Sequence, residues 1–260
     1  MARNPHGFPI WYELMADDPD AAQTFYGDVI GWFSADSGQA GMDYRVFARP
    51  HGDAIAGLLK RPDGAAPARW FVYFGVDDVD AAVAAAQAEG GSVCMPATTV
   101  PGVGRLALLS DPQGNSFYVM RREPDETSNA FADSSTGQVP PGHAIWNELT
   151  ADDQDAAMAF YGKVLGLRHE GGMPMGAWGD YKFVHAGGTC IGASMNAQPD
   201  WPRGWQVYFL VDEIDAAAKR LTDAGGSVVQ GPDQIPGGGY SLVAADAAGV
   251  RFGMVGPRVE

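Results

Sequence analysis

The segment IWYELMADDPDAAQTFYGDVIG, from Ile10, starts with a short apolar run, gives way to acidic residues and continues as an alanine-rich stretch. The order predicts a strand, a turn and a helix. The same plan recurs at ADDPDAA (from Ala16), VDDVDAA (Val76), ADDQDAA (Ala151) and VDEIDAA (Val211). Its chemistry is local. Asp18 is placed to cap a helix whose first residue is Pro19, and Asp20 then lies in the positively polarised first turn. Asp78 and Asp80 repeat the arrangement one module later. A glycine follows the helices, where a left-handed terminal residue is favoured. Short runs of β character come next, among them DYRVFARP, GRLALLSDP and NSFYVM, separated by Gly, Pro and Asp turns. The predicted unit is βαβββ, four times over, and the fold class is α+β.

A closer repeat joins the modules in pairs. IWYELMADDPDAAQTFYGDVIG (from Ile10) and IWNELTADDQDAAMAFYGKVLG (from Ile145) share about two thirds of their positions at an offset of 135. That offset also aligns Trp70 with Trp205, Asp111 with Asp246 and Gly114 with Gly249, which indicates duplication. A constant register is expected throughout. The polar segment between the copies reads as a linker. The predicted division is therefore 1–122, a linker over 123–142, and 143–260.

The formal net charge is −15, from 17 Lys and Arg against 32 Asp and Glu. A nucleic-acid partner needs a basic face to displace counterions, so none is expected, and an anionic membrane surface is disfavoured for the same reason. The N-terminus lacks the basic-then-apolar build of a signal peptide, and no apolar run is long enough to span a bilayer. Cys94 and Cys190 fall at non-equivalent positions of the two copies, which argues against a disulfide framework or a thiolate metal site. The expectation is a cytoplasmic protein, monomer or homodimer, with a small-molecule ligand or substrate as its partner.

The strand–Asp–helix plan ending in FYGDVIGW and FYGKVLGL, the VYFGVDDVDAA entry and the turn in LSDPQGNSFYVM together resemble the vicinal oxygen chelate superfamily. That superfamily includes glyoxalase I, extradiol dioxygenases and bleomycin-resistance proteins. Within it, the tandem layout and the IW-x-EL opening resemble glyoxalase-like proteins labelled as hydroxylases. The resemblance implies two tandem glyoxalase-like domains with open, cup-shaped mixed sheets, each holding a small molecule. It also implies where metal ligands would stand: on the first strand of a module, seven residues before the helix-capping Asp, and on the last strand, seven after the turn Asp. Here those positions hold Trp11, Phe71 and Tyr118 in copy one, and Trp146, Gln206 and Gly253 in copy two. A catalytic metal site takes about three His or carboxylate ligands. No metal and no cofactor are expected.

Strand alternation places Glu13 on the face of Trp11, Glu148 with Trp146, Tyr73 with Phe71, and Tyr208 with Gln206. Tyr118 and Arg251 share the inward register of the last strands. The candidate ligand-binding residues are therefore Trp11, Phe71, Tyr73, Tyr118, Trp146, Gln206, Tyr208 and Arg251. Glu13 and Glu148 are the candidate catalytic bases, since a carboxylate walled by aromatic rings is desolvated and becomes more basic. A structural role for the glutamates, as strand-edge hydrogen bonds or ion pairs, and plain packing for the tryptophans stay open. Arg105 is expected in a surface ion pair. Copy two, with Gly253 opposite Tyr118 and an amide at Gln206, is expected to have the roomier cup. Three functions compete: a metal-free enzyme of small-molecule metabolism, a sequestering binding protein of the resistance type, and a metal-dependent lyase or dioxygenase. The missing ligands weigh against the last.

Overall fold

The computed structural model describes residues 3–39, 41–50, 52–123 and 126–259. Its elements follow the predicted plan. The first module contains β1 (Pro9–Ala16), α1 (Pro19–Ile30), β2 (Phe33–Asp36), β3 (Tyr44–Ala48) and β4 (Ala54–Lys60). The second contains β5 (Arg69–Gly75), α2 (Val79–Ala88), β6 (Ser92–Val100), β7 (Gly104–Ser110) and β8 (Ser116–Arg122). The third contains β9 (Ala144–Ala151), α3 (Gln154–Leu165), β10 (Arg168–Pro174), β11 (Asp180–Ala186) and β12 (Thr189–Asn196). The fourth contains β13 (Gly204–Leu210), α4 (Ile214–Asp223), β14 (Ser227–Gln234), β15 (Tyr240–Ala245) and β16 (Arg251–Gly256). The helices begin where the acidic caps predict: Asp18, Asp78, Asp153 and Glu213 each accept a backbone N–H of the first turn. This removes one orphan donor per helix. α1 and α3 stop at Gly31 and Gly166, both left-handed.

The strands form two mixed sheets of eight, ordered β2-β3-β4-β1-β5-β8-β7-β6 and β10-β11-β12-β9-β13-β16-β15-β14. β1 runs parallel to β4 and β5 to β8, with the same arrangement in the second sheet, while β2–β3, β3–β4, β6–β7 and β7–β8 and their counterparts β10–β11, β11–β12, β14–β15 and β15–β16 are antiparallel. Neither sheet closes into a barrel. The chain is therefore two tandem domains of α+β type, as expected. By packing, it divides into two compact units. One comprises Met1–Ile10, Phe71–Ser128 and Trp146–Gln206, and the other Trp11–Trp70, Asn129–Ile145 and Val207–Glu260.

Each unit has an aromatic core. In the second, Tyr26 of α1 is fully buried among Trp32, Phe47, Trp70 and Phe252. The Trp70 Nε1–H donates to Tyr26 Oη at 2.9 Å, and the Tyr26 hydroxyl donates to Asp246 Oδ2 at 3.1 Å. Burial and the Asp246 charge raise the Tyr26 pKa, and burial raises that of Asp246. In the first unit, Tyr161, Trp205 and Asp111 are the equivalent residues at offset 135. There the Tyr161 hydroxyl and Trp205 Nε1 are likewise buried, and burial and the Asp111 charge raise the Tyr161 pKa. The repeat thus preserves this triplet.

Residues 129–142 of the segment predicted as a linker pack in the second unit. Asn129 donates to Asp53, Trp32 donates to the Gly142 carbonyl, and buried Phe131 bridges to Ala144. Buried His143 has Nδ1 2.9 Å from the Pro140 carbonyl and Nε2 3.4 Å from Asp53. No helix among the described residues is long and apolar enough to cross a membrane, which says nothing of a β-barrel.

Candidate functional site: an aromatic sheet face around Glu148

β9 carries Trp146 and Glu148 on one face, and the other face meets α3. The neighbouring strands fix which is which. Ser194 of β12 and Lys182 of β11 bond to Gln154 and Asp155 of α3, so the residues between them, Ala193, Met195, Tyr181 and Phe183, point the opposite way. Glu148 pairs with Ala193 and Phe183 pairs with Ala193, so the three lie in one row across the strands.

On this face the Trp146 Nε1–H donates to Tyr181 Oη at 2.7 Å, and the Tyr181 hydroxyl donates to Glu148 Oε2 at 2.8 Å. The donor–acceptor order aims both protons towards the carboxylate. Around it lie Ala193, Met195 and half-buried Trp146, Phe183, Met173, Met175 and Trp201. Trp146 stacks on Tyr181 with ring centres 6.4 Å apart and stands edge-on to Phe183 at 6.0 Å. Trp178, 42% exposed, packs edge-on against Trp201 at 5.5 Å. The result is a cluster of half-buried aromatic and methionine side chains packed on buried Tyr181, Ala193 and Met195, with the half-buried Glu148 carboxylate beside it. Contiguous apolar surfaces of that kind mark ligand or partner sites.

The first module repeats the motif in reduced form. The Trp11 Nε1–H donates to Tyr44 Oη at 3.0 Å. Glu13, 5% exposed, pairs in register with Gly57. A Cβ on Gly57 would stand 1.9 Å from the Tyr44 hydroxyl, so glycine is required for the tyrosine to lie across this strand. The surrounding wall is thinner. Val46 stands where the third module has Phe183, and Ala66 aligns with Trp201.

The remaining candidates sit on β5, β8, β13 and β16. Tyr73 and Tyr118 stack with centres 4.1 Å apart and planes 7° apart, and Phe71 meets Tyr118 edge-on at 5.4 Å. All three are buried. Gln206 is half-buried and Arg251 is exposed. The expected room at Gly253 is not there: a Cβ on Gly253 would lie 1.9 Å from the Tyr208 ring, so the tyrosine fills the space the glycine leaves.

This arrangement decides how well the superfamily's metal fits. The positions the resemblance assigns to ligands hold aromatic rings, one amide and a glycine covered by a ring. Among the described residues, no group of three or more His, Cys, Asp or Glu is placed to hold a metal ion. The residues present do not fit the group.

Other polar clusters serve the fold. Arg105 forms a two-pronged ion pair with Asp80 at 2.6 and 2.9 Å, as expected. Each partner stabilises the other's charged form, so the Asp80 pKa is lowered and that of Arg105 raised. His169 Nε2 lies 2.8 Å from Ser194 Oγ, and its Nδ1 lies 3.8 Å from Asp155. The types are those of a catalytic triad, but Ser194 is fully buried against α3, out of reach of a substrate. Burial lowers the His169 pKa, and the Lys182 charge lowers it further.

Sequence reasoning missed Tyr44, Tyr181, Phe183, Met173, Met175, Trp178 and Trp201. The cause is a slip in the repeat. Trp11 and Tyr44 are 33 residues apart, whereas Trp146 and Tyr181 are 35 apart, so the offset is not constant through β3 and β11. The paired DY of DYRVF and DYKFV was the available signal.

The glyoxalase/bleomycin resistance protein/dioxygenase superfamily model matches the chain twice, over residues 10–119 and 142–254. A Mycobacterium bovis protein named glyoxylase CFP32 is 35% identical over 256 residues, covering 96% of this chain and 95% of that protein. The anthracycline biosynthesis protein DnrV of Streptomyces peucetius is 32% identical over 259 residues, covering 92% of this chain and 89% of the relative. Among solved structures, the Mn(II)-bound glyoxalase from Novosphingobium aromaticivorans superposes with a TM-score of 0.67 at 18% identity, covering 100% of this chain and 84% of that one. The dioxygenase LapB from Pseudomonas gives 0.64 at 16% identity, covering 99% and 94%. The structural likeness concerns the fold, and the sequence matches extend over nearly the whole chain: it belongs to the glyoxalase/bleomycin resistance protein/dioxygenase superfamily.

Proposed function

We propose that this chain holds a planar, aromatic small molecule against the third-module face, and that it does so without the superfamily's metal. The observation that carries this reading is the surface formed by Trp146, Tyr181, Phe183, Met195 and Trp201 around the Glu148 carboxylate. Flat apolar ligands are held by stacking on such rings, and a few placed polar groups orient them. Two relatives are named anthracycline biosynthesis proteins, and their names support an aromatic ligand class. Glu148, oriented through Tyr181 and Trp146, is the group placed to accept a proton from a bound molecule or to receive its hydrogen bond. Glu13 is its counterpart in the first module. The proposed division into 1–122 and 143–260 puts the ligand face in the second half.

Two uses of the face follow, catalysis and sequestration, and one titration separates them. Protein treated with a chelator and dialysed is expected to contain far less than one transition metal per chain by elemental analysis, and still to bind a three-ring aromatic alcohol by calorimetry. Binding that appears only after Zn, Mn, Fe or Ni is restored contradicts the reading. Turnover of the bound compound that Glu148→Gln abolishes identifies an enzyme. Affinity that follows the aromatic residues, without turnover, identifies a sequestering protein.

A further inference from the structure

One corner is built twice in this chain, once in each unit, and the two copies differ at a single side chain that matters. In the first unit Asp111 opens the turn before β8, and its Oδ1 accepts the Gln113 and Asn115 N–H groups. In the second, Asp246 does the same for Ala248 and Val250 before β16. The helix caps of the two corners share one backbone conformation: Asp153 has φ −133° and ψ 103°, and Asp18 has φ −124° and ψ 96°. The aspartate before each cap is held by an arginine, Asp152 by Arg203 at 2.9 Å and Asp17 by Arg61 at 2.6 Å. In the first unit the Gln113 carboxamide joins turn to cap. Its Oε1 accepts the Asp153 N–H at 2.9 Å, and its Nε2–H donates to the Asp153 carbonyl at 2.8 Å. In the second unit Ala248 holds the position of Gln113 and brings no amide. A cavity of about 360 Å³ lies there, lined by Asp17, Arg61, Ala248 and Val250 among others. That is a size at the lower end of small-molecule sites. Among the described residues the Asp18 N–H has no acceptor, and its carbonyl accepts one N–H, from Ala22. The Asp153 carbonyl accepts the equivalent Ala157 N–H and the Gln113 amide together, as the two lone pairs of a carbonyl oxygen allow. The second unit thus keeps the donor and the acceptor that bind an amide in the first.

We infer that this cavity is a second binding site, for a small ligand bearing a primary carboxamide that takes the part Gln113 plays in the other unit. The ligand's oxygen accepts the Asp18 N–H, and its N–H donates to the Asp18 carbonyl. A primary amide presents both groups on one edge. A carboxylate has no proton for the Asp18 carbonyl, and neither has a tertiary amide. The walls set the rest of the class. Ala65, Pro67, Ala68 and Val250 are apolar, and Arg61 is engaged through Nε by Asp17 and through Nη1 by the Ala65 carbonyl. The body of the ligand is therefore compact and uncharged. None of these residues belongs to the face around Glu148, so the site stands apart from the proposed function.

The test titrates benzamide, benzoate and N,N-dimethylbenzamide into the full chain labelled with nitrogen-15 and follows the backbone amide signals of Asp18 and Ala248. Benzamide is expected to move both signals saturably, with a dissociation constant in the millimolar range that suits so small a ligand. The other two are expected to bind at least about tenfold more weakly, since each leaves the Asp18 carbonyl without its donor. Ala248→Gln supplies the amide from the chain itself, so it is expected to abolish the benzamide shifts at Asp18 and to raise the thermal midpoint. Gln113→Ala is the reciprocal change and is expected to create benzamide shifts at Asp153. The wild-type series stands alone if either variant fails to fold. The inference is overturned if benzamide leaves the Asp18 signal unmoved, if the three probes bind equally, or if the Asp18 shifts persist in folded Ala248→Gln.

Discussion

Replacing Trp146 by alanine is expected to weaken binding of a planar aromatic ligand by roughly 10- to 100-fold, the loss typical of a central aromatic anchor. Trp146 is central in two ways. Its ring contacts Tyr181 and Phe183, so its removal opens the middle of the wall. Its N–H also positions the Tyr181 hydroxyl that in turn holds Glu148. Trp146→Phe separates these roles: it keeps a ring and removes the donor, so a three-ring aromatic alcohol should lose less affinity than with alanine. The matching change in the first module, Trp11→Ala, is expected to alter affinity by no more than about twofold, because Val46 and Ala66 stand there where the third module has Phe183 and Trp201. Calorimetry on the three variants checks the ranking. A larger loss from Trp11→Ala than from Trp146→Ala would move the site to the first module.

The largest expected effect on stability is at Asp246. Its Oδ1 accepts the backbone N–H groups of Ala248 and Val250 at 2.9 and 2.8 Å, and its Oδ2 accepts the Tyr26 hydroxyl. Asp246→Ala strands these donors in a largely buried site, at a cost of about 3 kcal/mol. Asp246→Asn should cost less, since its carbonyl can still accept from the turn. The residue's pH behaviour has the opposite sign to that of a salt-bridged aspartate. Its folded pKa is raised, chiefly by burial, so the folded state binds the proton more readily than the unfolded one. Its contribution to stability therefore grows as pH falls from above the folded pKa towards the unfolded value, and shrinks as pH rises through that window. Urea melts of wild type and Asp246→Asn across the mildly acidic range check both statements. A wild-type stability that rises with pH relative to Asp246→Asn would contradict the second.

Much of the fold was legible because its signals are local. Asp18, Asp78 and Asp153 cap helices through their own side chains, and no distant residue is needed to read that. The pairing of Glu13 with Trp11 and of Glu148 with Trp146 follows from strand alternation alone. The relay that orders Glu148 was not legible, because its middle member comes from β11, and the insertion ahead of Tyr181 moves it out of the fixed offset. Trp178 ends a short 3₁₀ helix before β11 and Trp201 lies in the bend after β12, where no strand alternation assigns a face. Gly253 shows the reverse error. A glycine in a sequence reads as space, yet here Tyr208 lies across it, and only the packing of the neighbouring strand reveals that.

The account places the ligand on one face of β9, β11 and β12, and diffraction from crystals grown with anthracenylmethanol tests that placement most directly. The predicted result is ring density in contact with Trp146, Phe183 and Trp201, with the hydroxyl within hydrogen-bonding distance of Glu148 or Tyr181. Density against the first module, or anywhere away from Trp146 while calorimetry reports binding, would contradict it.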